Sequence, residues 1–243
     1  MDSATQQLLD AAGYDPSDED IAFFEELRGR LVAANEQLNL TRLTEPADFW
    51  IKHVLDSMLP FLVVEGLRGL DEKAMVADFG AGGGFPGFVL ARHFPHWDLA
   101  LIERRQKKCD YLEATAEALG LENVYVVPLD AREAIHQVPA LDRGCDLVVA
   151  RAVGRLGKVT RAAEPLLRPH GLILHYKGGS LAQDEINEGK KAAREMVAKQ
   201  HEPVYYDLPP DARRAAVLVE SRPHARKRKE ALRRRQSSQR SKT

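Results

Sequence analysis

The chain has 243 residues, of which 44% are hydrophobic and 29% charged, and a net charge of −1. This describes a globular protein of one large domain or a domain with an appendage, and it excludes collagen-like, coiled-coil and wholly disordered chains. No apolar run reaches the ~18–20 residues of a membrane helix, no signal segment opens the chain, and Cys109 and Cys145 stand in no CxxC or CxH spacing, so we expect a cytoplasmic protein with reduced thiols, no metal site and no membrane partner.

Residues 1–72 read as an N-terminal helical subdomain. Asp18, Glu19 and Asp20 are expected to supply the cap and the first-turn acids, and Ile21, Phe24, Leu27, Leu31 and Val32 then recur near helical spacing. Asn39-Leu40-Thr41 breaks that run. Pro46 suits the first turn of a second helix, whose buried side takes Phe49, Trp50, Val54, Leu55, Met58, Leu59 and Leu62.

From residue 73 the pattern changes. Apolar runs at 75–79, 97–103, 124–127, 145–150 and 172–176 read as strands, separated by helical stretches at 88–94, 107–119, 158–167 and 181–198. Runs at 204–208 and 215–220 close the sheet. Alternating strands and helices require parallel pairing through right-handed crossovers. The expected fold is α/β, a doubly wound, seven-stranded, mostly parallel sheet over residues 73–221. A tail, 222–243, follows, with ten Lys or Arg and one acid, against 25 basic and 35 acidic residues in the rest. A basic tail on an acidic body marks a nucleic-acid contact or a solvated appendage.

The glycine-rich turn after the first strand carries the strongest local signal. Gly82, Gly84 and Gly87 satisfy the GxGxxG spacing of dinucleotide sites, whereas Asp78, Gly80, Gly82 and Gly84 satisfy the acidic-x-G-x-G-x-G pattern of class I methyltransferases. Pyrophosphate favours bare N–H groups at a helix N-terminus. The ammonium of S-adenosyl-L-methionine favours a carboxylate, so Asp78 speaks for the methyl donor. Glu103, at the end of the next strand, can accept both hydroxyls of a ribose from either ligand. Arg151 and Lys177 end later strands at the same carboxyl edge and are substrate-side candidates, Arg151 toward a phosphate or the cofactor. His53 and Asp56 lie about one turn apart on a helix, close enough for contact, and His53 reads either as a packing residue or as a third substrate-side candidate. Phe85 is placed either to pack on the cofactor or to fill the core.

These residues resemble the ribosomal RNA small subunit methyltransferase G family, also called the glucose-inhibited division protein B family, over most of residues 20–220. The likeness rests on Asn39-Leu40-Thr41, on His53 with Asp56-Ser57, and on the glycine loop closing Gly84-Phe85-Pro86-Gly87. It also rests on Lys107-Lys108 with Tyr111-Leu112, on Gly120-Leu121-Glu122-Asn123-Val124, on Arg151-Ala152 and on Lys177-Gly178. The resemblance implies a Rossmann-like class I methyltransferase with N-terminal helices. It also implies S-adenosyl-L-methionine as cofactor, and methylation of guanine N7 in 16S rRNA near the decoding region, on RNA or on the small ribosomal subunit. Where the family usually has Arg-x-Glu-Glu, this chain has Asp130-Ala131-Arg132-Glu133; Ala131 and Arg132 are expected beside the adenine, with Asp130 as its polar partner. The Arg-rich tail is not part of the family pattern.

Guanine N7 carries an in-plane lone pair and no proton, so methylation there needs no general base. A site for it is expected to work by positioning, and no nucleophile–His–acid triad or Asn/Asp-Pro-Pro-Tyr motif occurs; Ala150-Arg151-Ala152-Val153 stands after the fourth strand. No residue is therefore expected to act as a base or nucleophile. Two other functions compete with this one. An NAD(P)-dependent oxidoreductase would share the glycine turn, and a non-enzymatic RNA-binding protein would share the fold and the tail.

Overall fold

The computed structural model describes residues 1–222. The expectation of an RNA-contacting tail lies outside them from residue 223 on.

The N-terminal portion is helical, as the periodicity requires. After α1 (Ser3–Ala11), α2 (Asp18–Leu38) starts on a capping box in which Ser17 Oγ accepts from Asp20 N and Asp20 Oδ2 accepts from Ser17 N. Ser17 is thus the cap, and the three acids fill the first turn. Phe24, Leu27 and Leu31 form the buried stripe of α2. Pro46 opens α3 (Pro46–Phe49), which runs through a π-helical stretch, Trp50–Leu55, into α4 (Asp56–Val63).

The remaining elements alternate. They are β1 (Met75–Phe79), α5 (Gly87–His93), β2 (Asp98–Ile102), α6 (Gln106–Ala118), β3 (Val124–Val127), α7 (Ala131–Gln137), β4 (Cys145–Arg151), α8 (Leu156–Ala163), β5 (Leu167–Gly178) and α9 (Gln183–Glu195). Three antiparallel segments follow: β6 (Ala198–Gln200), β7 (Val204–Leu208) and β8 (Ala212–Ser221). The lateral order is β3-β2-β1-β4-β5-β8-β6, with β7 also paired to β8. The first five strands are parallel and β8 runs antiparallel to β5.

The expected count of seven strands becomes eight segments in seven lateral positions. β6 pairs with Val219–Ser221 and β7 with Ala212–Ala216, so both occupy the same side of β8, end to end. Pro203, which has no N–H to donate, lies in the gap between them. The preceding helix, expected to run to 198, ends at Glu195, and Val197 takes a left-handed conformation (φ 59°) that turns the chain into β6.

Alternate strand residues face two separate apolar layers. Val76, Leu99, Leu101, Leu147, Val149, Leu174 and Leu218 join the N-terminal helices, α5 and α6 in one core. Ala77, Ala100, Ile102, Val148, Ile173 and Val219 face α7, α8 and α9 in the other. The N-terminal helices are further tied to α5: Tyr14 bonds His93 (2.9 Å), whose ring stacks on Phe24, and Arg92 bonds Asp20 (2.8 Å). His93 is a packing residue, as its place at a helix end suggests. Both cysteines are buried and free, and burial pushes the Cys145 thiol up to about 12.

Candidate active site

The carboxyl edge of the parallel strands opens onto two adjoining cavities of about 600 and 690 Å³. Gly80, Glu103, Lys108 and Ala152 line both. The first continues between the glycine loop and the N-terminal helices, past Thr41, His53, Asp56, Phe85, Arg151 and Arg214. The second runs over β2 and β3 toward Leu129 and Asp130.

The loop between β1 and α5 is held by the backbone. Gly80 N and Ala81 N both donate to Ile102 O, and Gly84 N donates to Ala81 O. Gly80, Gly82 and Gly84 all have positive φ, which L side chains resist. A Cβ on Gly84 would meet the Phe88 ring at 2.2 Å, so close packing on α5 also requires glycine there. A Cβ on Gly82 would meet only a carbonyl at 3.8 Å; here the bare backbone faces the cavity.

Asp78 is turned away from both cavities. It is 1% exposed, and its Oδ2 accepts from Gly87 N at 2.8 Å, at the start of α5. Burial pushes its carboxyl up to about 7, against the opposing bond from Gly87 and the charge of Arg151. The carboxylate stands at the helix N-terminus where a pyrophosphate would have to bind, so the GxGxxG spacing does not mark a phosphate cradle.

Glu103 lies at the junction of the cavities. Oε2 accepts from Gly82 N (3.2 Å) and Oε1 from Arg105 N (2.9 Å). Each oxygen keeps a second acceptor site. Asp130 is exposed and caps α7, its Oδ1 accepting from Glu133 N at 3.0 Å. Ala131 and Arg132 open α7; the adenine-side expectation for them rests on side chains outside those described.

Arg151 ends β4, but its guanidinium points into the N-terminal helices. Nη1 donates to Lys52 O (3.2 Å) and Ser57 Oγ (3.4 Å), and Nη2 to His53 Nδ1 (3.2 Å). Asp56 Oδ2 lies 3.6 Å from Nη1. Burial first, then the Arg151 charge, lowers His53 to about 3. The ring is therefore neutral. Because Nδ1 accepts from Arg151, Nε2 carries the proton and donates to Thr41 Oγ1 (3.1 Å). Thr41 is set by Asn39, which ends α2 in a left-handed conformation, and by Asn35 Oδ1, which accepts from Thr41 N. The His53 ring stacks on Phe85 at 4.4 Å. Thus Asn39-Leu40-Thr41, His53, Phe85 and Arg151, spread over the chain, form one contact chain.

Lys177 lies at the rim rather than free in the cavity. Its Nζ donates to Gly154 O (2.5 Å) and Glu185 Oε1 (2.8 Å), while Glu185 also accepts from Leu156 N. It pins the loop that follows Arg151. Sequence reasoning missed Tyr176, Tyr206 and Arg214. Tyr176 donates to Ser57 O (2.7 Å), and Tyr206 Oη and Arg214 Nε approach Asp56 Oδ1 at 3.3 and 3.4 Å. The one signal for Arg214 is a cation opening an apolar strand.

A glycine loop after β1, an acid after β2, parallel order 3-2-1-4-5 and an antiparallel strand beside β5 define a class I methyltransferase fold. Solved structures agree. The chain matches the YcgJ protein from Bacillus subtilis (TM-score 0.53, 13% identity, 70% of this chain and 100% of that one). It also matches the antibiotic-resistance methyltransferase Kmr (TM-score 0.50, 14% identity, 62% and 87%). Residues 20–206 match the family model described as rRNA small subunit methyltransferase G. The Ribosomal RNA small subunit methyltransferase G of Lactococcus lactis is 36% identical over 207 residues, 85% of this chain and 84% of that protein. The chain belongs to the rRNA small subunit methyltransferase G family and is an rRNA methyltransferase. The oxidoreductase and non-enzymatic readings are set aside.

Proposed function

We propose that the protein transfers the methyl group of S-adenosyl-L-methionine to N7 of a guanine in 16S rRNA near the decoding region, in the cytoplasm. The observation that carries the reading is the pair of cavities joined at Gly80 and Glu103, with the bare Gly82 backbone lining the first of them. This shape accepts a long ligand bent at a ribose. Glu103 would take the ribose hydroxyls, Asp130 with the start of α7 the adenine, and Gly80 and Gly82 the methionine portion; Gly84, expected from its spacing to touch the cofactor, instead packs on Phe88 and lines neither cavity. Asp78 serves by fixing the loop to α5. The cofactor supplies an electrophilic methyl on a sulfonium.

The chain's own residues supply position and charge. N7 needs no deprotonation, and the neutral, hydrogen-bonded His53 is held as a wall rather than as a base. Phe85 and His53 close one side of the first cavity. Arg151 joins the cofactor unit, 73–221, to the helical unit, 1–72, so cofactor and acceptor are aligned across the two. Such alignment contributes several kcal/mol to an in-line displacement. The basic tail, 222–243, adds phosphate contacts on RNA or the small ribosomal subunit.

Radiolabelled methyl transfer to small subunits lacking the modification, followed by mass-spectrometric mapping, tests this. A 7-methylguanine in 16S rRNA is expected. Folded protein that binds cofactor and yields no methylated RNA would refute it.

A further inference from the structure

Asp56 is unusual among the cavity-lining residues. It is a carboxylate, 5% exposed, on the first turn of α4. Three donors surround it: Tyr206 Oη at 3.3 Å, Arg214 Nε at 3.4 Å and Arg151 Nη1 at 3.6 Å. None comes within the ~2.7–2.9 Å of a charge-assisted bond. An ionised carboxylate has about four acceptor sites, so this one is oriented by its neighbours yet loosely satisfied. It lines the same cavity as Gly80, Gly82 and Phe85.

Nucleobase chemistry then narrows the ligand. A carboxylate pairs best with two adjacent N–H donors in a fork. Of the four RNA bases, only guanine presents two neighbouring donors on one edge, N1–H and the 2-amino group. Adenine offers a lone pair at N1, and cytosine and uracil place an acceptor beside their donor. N1 and N2 lie across the purine from N7, so a base held there by its pyrimidine side turns N7 back toward the rest of the cavity.

We propose that Asp56 reads the Watson–Crick edge of the acceptor guanine by accepting its N1–H and N2–H, and so makes the site guanine-specific. This rests on the guanine-N7 reading and names its specificity residue. Arg151, Arg214 and Tyr206 orient the carboxylate and balance its charge before the base enters.

The test uses 16S rRNA ligated around a synthetic segment that carries guanosine, inosine or 1-methylguanosine at the mapped acceptor position. Inosine keeps N7 and N1–H but lacks the 2-amino group. 1-Methylguanosine keeps N7 and loses N1–H. Removing one bond to a charged acceptor predicts kcat/KM on inosine lower by roughly 10–100-fold, with a larger loss on 1-methylguanosine. Asp56→Asn turns an amide N–H2 toward the same donors, so its guanosine activity falls and its guanosine-to-inosine ratio shrinks to within about threefold. A residue that merely supported the fold would lower both activities and keep the ratio. The inference is overturned if the wild-type protein treats guanosine and inosine alike, or if the Asn variant keeps the wild-type ratio. The wild-type arms decide the matter even where the variant does not fold. Absence of transfer to the guanosine RNA would instead strike the guanine-N7 activity itself.

Discussion

The two halves of the crevice are built in different ways. The cofactor half is local: β1, the loop from Gly80 to Pro86 and α5 follow one another, and Glu103 arrives one crossover later. Its bonds are mostly backbone to backbone or backbone to carboxylate. The acceptor half is assembled from side chains of distant segments. Thr41 comes from the loop between α2 and α3, His53 and Asp56 from the helices that follow it, Arg151 from β4, Tyr206 from β7 and Arg214 from β8. A site made of contiguous backbone tolerates little geometric change but depends on few side chains. A site made of converging side chains depends on each of them.

Substitutions can break that contrast. The largest effect is expected for Arg151→Ala, which deletes the contacts to Lys52, His53, Ser57 and Asp56 at once. Losing one partner of a buried charge pair costs about 3–5 kcal/mol. Methyl transfer should fall at least 100-fold, while S-adenosylhomocysteine affinity, measured by calorimetry, stays within about threefold. Equal losses in both would mean that the halves are not separable. Next is Gly84→Ala. Its Cβ would lie 2.2 Å from the Phe88 ring at φ 89°, and overpacking with a left-handed backbone costs about 2–5 kcal/mol. Urea unfolding should show that loss, with cofactor binding weakened in parallel.

A smaller change sharpens the comparison. Glu103→Gln keeps the shape of the side chain and removes the charge. It should weaken S-adenosylhomocysteine binding roughly 10-fold and leave the KM for RNA unchanged.

The pH dependence of the acceptor half has a definite sign. Unfolded His53 takes a proton near 6.5, whereas the buried ring resists it until about 3. The stability it contributes is complete above the unfolded value and is lost as pH falls from 6.5 toward 3. His53→Asn should therefore close its stability deficit against the wild-type protein by about 1 kcal/mol per pH unit in that window. Urea melts at pH 7, 6 and 5 would show it. Asp78 works the other way. With its carboxyl raised to about 7, it favours the folded state below the ordinary carboxylate value, and that contribution is lost as pH rises to 7.

The same contrast explains what the sequence could disclose. The alternation of strands and helices, the glycine turn and Glu103 are written in short contiguous patterns, so periodicity and spacing reach them. The side-chain direction of Asp78 is not. A carboxylate at a strand end looks alike whether it faces a ligand or, as here, caps Gly87. Lys177 likewise has the position of a substrate contact, but Glu185, eight residues on, draws it to the rim. The partners of Asp56 lie about 95 to 160 positions away in the chain, and no local pattern relates them.

The direction of β8 has a consequence for how the protein meets its RNA. Arg214 pairs with Gly178 at the carboxyl edge of β5, and Glu220 pairs with Leu172 six residues back along it. The chain therefore reaches Arg222 on the side of the molecule away from the crevice mouth. Charge carried beyond that point starts from the rear, so truncation after Ser221 should reduce the slope of affinity against salt, by up to about 0.9 per phosphate released, without altering turnover at saturating RNA. Grip and chemistry would then be adjustable one without the other, as a hand steadying a page is independent of the hand that writes.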